Sequence, residues 1–194
     1  MKAPSFEAAP YNDGDLFDIY EEAEALNPVK PYVRIIDVEE GSQIVRIFAD
    51  HLFKDSYPLK THMAHLEVLH NSGVYIPRLQ YQETPQEVAV AYDYIVPAYD
   101  NRMEVLSDTE AVDELYATIN GLSRYITWSH RQPEQQTLSD IYVLDQFVYG
   151  TNTAADDIAD RWWLVDLEPR TAAPDAELIL TDMINLHRLV KAVR

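Results

Sequence analysis

The chain contains no cysteine, which excludes disulfides and thiolate chemistry. Glycine is scarce, with five in 194 residues, and none lies in a glycine-rich loop able to cradle phosphate through backbone N–H groups. No apolar run is long enough to cross a bilayer. The opening residues, MKAPSFEAAPYNDGD, lack the apolar stretch of a secretory signal, so a cytoplasmic location is the expectation. Cations are outnumbered, with 15 Lys and Arg against 33 Asp and Glu and a net charge of −18. Such a chain repels phosphate backbones, so direct nucleic-acid binding is disfavoured. Three roles remain for the acidic surplus: a soluble or salt-adapted surface, carboxylate metal sites, or a face docking on a basic, nucleic-acid-binding partner.

What is present is enough for a core. Apolar residues make up 47% of the chain, and no repeat or low-complexity tract interrupts them. Residues 1–12 read as a loose arm and 15–27 as a short acidic helix stopped by Pro28. Runs 32–38 and 43–49 read as a hairpin turning at Gly41. Residues 59–72 have helical spacing, with Leu59, Met63, Leu66 and Leu69 or His70 on one face, and Gly73 sits where a helix ends. Residues 78–83 and 88–96 read as a second strand pair. Ser107-Asp-Thr-Glu110 has the form of a capping box, opening a long helix to about His130 buried through Leu115, Ile119, Leu122 and Ile126. Strands are expected at 141–149 and 162–167, separated by a polar loop at 151–160. A last helix from about Pro174 carries Ile179, Met183, Leu186, Val190 and Val193. Strands and helices do not alternate strictly, so the class is α+β rather than a doubly wound parallel sheet.

Chemistry-bearing residues concentrate late. Asp140, Asp145 and Asp166 interrupt or border apolar runs, where an ionised side chain needs a partner, a solvated cleft or a metal. Plainer readings stand beside this: a turn cap for Asp140, a solvent-facing strand position for Asp145 and an edge-strand acid for Asp166. His62, His65 and His70 lie within one helix, but lack a further ligand at metal spacing. Trp162 and Trp163 should alternate across a strand, one toward the core and one toward a partner or a second lobe.

The order of these elements resembles the kinase-like fold, of the aminoglycoside phosphotransferase and choline kinase type, over residues 30–170. Leu138-Ser-Asp-Ile-Tyr-Val-Leu-Asp145 is similar to that family's H-G-D-x-x-x-x-N loop, with Asp140 on its Asp and Asp145 on its Asn. Asp166-Leu-Glu168 falls on the family's D-F-G or D-x-E element. Ile44-Val-Arg-Ile-Phe48 looks like the strand bearing the phosphate-pairing cation, and 69–78 is similar to a G-V-x-V-P-R passage. The resemblance implies a two-lobed protein-kinase-like fold: an acidic arm and helix over 1–29, a sheet-rich N-lobe over 30–98 and a truncated helical C-lobe over 99–194. It implies a catalytic base at Asp140, Mg²⁺ ligands at Asp145 and Asp166, and ATP contacts at Arg46, oriented by Glu67, and at the hinge residues Val96 and Ala98. The function implied is transfer of phosphate from Mg-ATP to a hydroxyl-bearing small molecule.

The departures define the alternative. Leu138 stands where the family has its His, Asp145 replaces an amide, and the turn at 39–42 offers one glycine and two acids. Little chain follows Glu168 to build an acceptor site. A catalytically degenerate pseudokinase acting as a binding or regulatory module is therefore the second expectation, with a protein partner completing the C-lobe. An acidic protein docking on a basic partner is the third.

Overall fold

The computed structural model describes residues 6–38, 41–49, 52–53, 58–129, 131, 138, 141, 144–152, 154, 159–165 and scattered positions within 177–191. The chain folds as a mixed α+β structure with two sheets. The larger is built from β1 (Ala8–Pro10), β2 (Glu24–Ala25), β3 (Val33–Val38), β4 (Gly41–Ala49), β5 (Leu79–Glu83) and β6 (Glu87–Asp93), in the order β1-β5-β6-β4-β3-β2. The smaller comprises β7 (Ile95–Pro97), β8 (Phe147–Asn152) and β9 (Arg161–Leu164), in that order.

The expected hairpin at 32–49 forms as β3 and β4, with Gly41 taking a φ of 128° at the turn. The region expected to be a loose arm does not stay loose. Residues 8–10 pair in parallel with Leu79–Tyr81, because the exposed edge of β5 offers N–H and C=O groups that need partners. Pro10, which has no N–H, is tolerated at such an edge. The acidic helix is shorter than its composition suggests: α1 spans Leu16–Glu22, capped by Asp15, whose side chain accepts from the Phe17 N–H at 2.9 Å. Residues 24–25 then pair with β3. Residues 8–10 and 24–25 are thus strands of the large sheet.

Helix α2 (Leu59–Asn71) ends in a Schellman turn. Gly73 adopts a φ of 96°, its N–H reaches the His70 carbonyl at 2.8 Å, and the Val74 N–H reaches Leu69 at 3.3 Å. Leu69 and Val74 are both fully buried, completing that motif's apolar contact. The buried stripe of α2 contains His62 and His65 beside Leu59, Leu66, Leu69 and His70, while Met63 is only half-buried. Helix α4 (Thr109–Ser129) crosses the end of α2 at Gly121, where any Cβ would press on the backbone of Ser72 and Gly73.

A six-residue helix, α3 (Arg102–Ser107), precedes α4 and was not expected. Asn101 caps it, accepting from the Glu104 N–H at 3.1 Å and donating to the Glu104 carboxylate at 2.6 Å. Ser107 ends α3, so the cap of α4 is Asp108, which accepts from the Glu110 and Ala111 N–H groups at 2.8 and 3.2 Å. The Tyr99 hydroxyl also donates to Asp108. That bond first, and the two backbone bonds next, hold the Asp108 carboxyl below its ordinary range.

The expected strand at 88–96 breaks at Tyr94, whose N–H turns to the Ser42 carbonyl at 2.9 Å. β6 stays in the large sheet and β7 joins the small one. The strand expected from residue 141 begins only at Phe147, after a 3₁₀ turn over Leu144–Gln146. Asp145 sits in that turn, consistent with the poor fit of Asp to a strand. Trp162 and Trp163 are both buried, and they alternate as expected: Trp162 joins the main core, while Trp163 lies outside it, against Tyr75. The Trp162 indole donates to the Ala111 carbonyl at 2.7 Å, and Trp163 donates to Gly150 at 2.9 Å. Trp163 is covered because β9 is not a free edge: Tyr75 bridges to it, accepting the Leu164 N–H at 3.0 Å, and its ring lies 5.6 Å from that of Trp163. The main core lies between the large sheet, α2, α4 and the small sheet. Described positions within 177–191 are helical, and Met183 packs on that core.

Candidate functional site

Alternation along β4 sends Ile44, Arg46 and Phe48 to one face of the large sheet and Gln43, Val45 and Ile47 to the other. Arg46 is only 7% exposed. Its guanidinium carbon lies 5.3 Å from the Tyr32 ring centre and 5.0 Å from that of Phe48, so aromatic faces hold the cation in place. Arg46 borders a cavity of about 160 Å³ where the two sheets meet. The large sheet contributes Ile44, Tyr92 and Asp93, and the small sheet's side contributes Asp145, Val148 and Val165; Lys30 also lines it. The Val165 N–H donates to the Gln146 carbonyl at 3.0 Å, so residue 165 is fastened beside the turn that carries Asp145.

The structure therefore brings Arg46 and Asp145 to one cleft. Asp140 and Asp166 lie outside the described residues. The Asp145 side chain is 73% exposed and ion-paired to Arg102. Among the described residues no group of three His, Asp or Glu could hold a metal ion.

Glu67, Ala98 and Val96 do not line the Arg46 cavity. Glu67 lies on the exposed side of α2. The Ala98 N–H, the donor a hinge would offer to a base, already donates to the Tyr149 carbonyl at 3.0 Å. Val96 pairs with Thr151 across the small sheet, with its side chain 44% exposed. Gly150 lets β8 approach that segment, since a Cβ there would run into the Val96 carbonyl.

Sequence reasoning missed the acid that joins the two sheets. Asp93 is 3% exposed. It accepts from Arg78 at 3.3 and 3.2 Å, from Asn152 at 3.3 Å and from Gln43 at 3.4 Å. Asn152 belongs to the small sheet and the others to the large sheet or its approach, so this carboxylate pins one to the other. The signal was available: Asp93 interrupts the apolar run 88–96 in the same way that Asp145 and Asp166 interrupt theirs.

The α2 histidines are packing residues. His65 Nδ1 lies 2.6 Å from the buried Tyr125 hydroxyl, which accepts the Leu138 N–H at 3.0 Å. His62 meets Phe53 edge to face at 5.8 Å.

No family model, curated protein or solved structure matches the chain.

Proposed function

We propose that the protein is a kinase-like binding module of the degenerate kind, which takes a phosphate-bearing ligand such as a nucleotide at Arg46 and does not transfer its phosphate. Several features support the kinase-like reading. Helix α2 is inserted between β4 and β5, the chain passes from the large to the small sheet at Tyr94, and Arg46 and Asp145 share the cleft at that passage. The observation that carries the binding role is Arg46 itself: a nearly buried guanidinium, steadied by two rings, on the wall of a cavity in a chain of net charge −18. Arginine in this setting suits phosphate, because its fork of donors matches phosphate oxygens. Both acids at the cleft stand beside an arginine, Asp93 beside Arg78 and Asp145 beside Arg102. Their repulsion toward an anion is reduced accordingly.

Transfer is disfavoured by what the same groups are doing. Asp145 is engaged by Arg102, and the Ala98 N–H is engaged by β8. The cavity is also smaller than the roughly 300–1,000 Å³ usual for drug-sized ligands, so it matches part of a nucleotide. Phosphotransfer from Mg-ATP remains the second reading, favoured by the shared cleft of Arg46 and Asp145.

Calorimetric titration of ATP with and without Mg²⁺, paired with an assay for released ADP, separates the two. Binding that does not need Mg²⁺, without ADP release, is the expected result. Binding that requires Mg²⁺, with turnover, would replace it by the second reading. Absence of binding in both conditions would overturn both.

A further inference from the structure

The Arg46 cleft is small and largely apolar, and both properties restrict what a bound phosphate can be attached to. Leu26, Val33 and Ile44 line it from the large sheet's side, and Ile95, Val148 and Val165 from the side of the small sheet. Its volume is about 160 Å³. An apolar cavity of about 150 Å³ is enough to take one benzene ring, which leaves little for a second fused ring. Two apolar walls meeting across so small a space suit a flat group.

The polar backbone of the lining is already engaged. The N–H groups of Leu26 and Val33 donate to the Val33 and Lys30 carbonyls at 2.8 and 3.0 Å. Those of Tyr94 and Val165 donate to Ser42 and Gln146 at 2.9 and 3.0 Å. The Asp93 carboxylate accepts from Arg78, Gln43 and Asn152. A nucleobase entering beside such groups gives up hydrogen bonds to water and finds few in return. A hydrocarbon ring gives up none and gains by burial. Charge fixes the other end of the ligand. Arg46 and Lys30 both line the cavity, and two cations suit a phosphate monoester, which carries close to two negative charges at neutral pH.

We infer that the ligand of this cleft is an aryl phosphate: one aromatic ring seated between the two sheets, with its phosphate monoester held by Arg46 and Lys30. The inference rests on the phosphate-binding reading of Arg46 and narrows it. ATP is then held through its phosphates, and its two-ring base gains little from the cavity.

Phenyl phosphate, inorganic phosphate and 1-naphthyl phosphate are the probes, each titrated calorimetrically at up to millimolar concentration. Phenyl phosphate is expected to bind the wild type one-to-one, at least tenfold tighter than either of the others. Val148 is half-buried in β8, so Val148→Phe sets a protein ring where the ligand's ring belongs and should weaken phenyl phosphate at least tenfold. Undiminished binding to a folded Val148→Phe would overturn the inference. The wild-type series decides alone if a melting curve shows that variant to be unfolded. Equal affinity for inorganic and phenyl phosphate would overturn the aryl inference and leave the phosphate reading standing. Naphthyl phosphate binding as tightly as phenyl phosphate would overturn the one-ring limit. No binding of any probe would overturn the inference together with the reading beneath it.

Discussion

Adjacent residues of β4 face two different worlds. Toward α2 and α4, Ile44 and Phe48 join a large continuous core, and Arg46 is carried within it to the cleft. Toward α1, Val45 joins Tyr11, Leu16, Ala89 and Ala91, a smaller cluster against which Phe17, Ile19, Tyr20, Ile36 and Ile47 pack, beneath a helix of seven residues. The thick cover immobilises a cation between rings. The thin cover leaves room beside Gln43 for a solvent-filled pocket. One strand therefore lines two concavities, one beside the buried Arg46 where packing is dense and one beside exposed carboxylates where it is sparse.

This contrast can be broken from either side. Phe48→Ala should cost about 3–5 kcal/mol by leaving a cavity in the dense core, and chemical denaturation would read the loss. Leu16→Ala, under the thin cover, should cost less, about 2–3 kcal/mol, because the short helix can settle into the gap. Equal costs would mean that the two faces are equally packed. Asp93→Ala strikes the joint between the sheets, leaving Arg78, Gln43 and Asn152 without their shared acceptor. A loss of about 2–3 kcal/mol is expected, together with weakened ligand binding in the Arg46 cleft.

The smallest effect comes from pH. Burial, and then the charges of Glu114, Asp108 and Asp160, push the Tyr149 phenol up to about 12. A folded-state value above the unfolded one of 10.0 means that the native protein holds this proton longer. The contribution is therefore complete below pH 10 and fades as pH rises toward about 12. Melting temperatures of wild type and Tyr149→Phe between pH 9 and pH 11, a range set by that window, should show a shallower decline for the variant.

Much of this architecture could be read from the sequence where a periodic apolar pattern met clear punctuation. Gly41 and Gly73 marked a hairpin and a helix end through the positive φ that each adopts. The buried stripe of α4 followed from 3.6-residue spacing. What escaped depended on partners distant in the chain. Residues 8–10 carry no strand pattern and pair because β5 has an open edge. Trp163 is buried because Tyr75, distant in the chain, covers it at the edge of β9. The candidate site was legible in part: Arg46 and Asp145 do meet, but the Arg102 partner of Asp145 and the β8 partner of Ala98 lie 43 and 51 positions away and left no local trace. Gln43 looked like an ordinary polar residue in a strand, and only its buried, unpartnered oxygen singles it out.

The central claim is that Arg46 recognises a phosphate-bearing ligand. Side-by-side calorimetry of ATP binding to the wild type and to Arg46→Gln tests it most directly, with melting curves confirming that both are folded. Measurable affinity is expected in the wild type and at least a tenfold loss in the variant, about 1.4 kcal/mol or more. Equal affinity in the two proteins would contradict it and place any nucleotide contact elsewhere on the molecule.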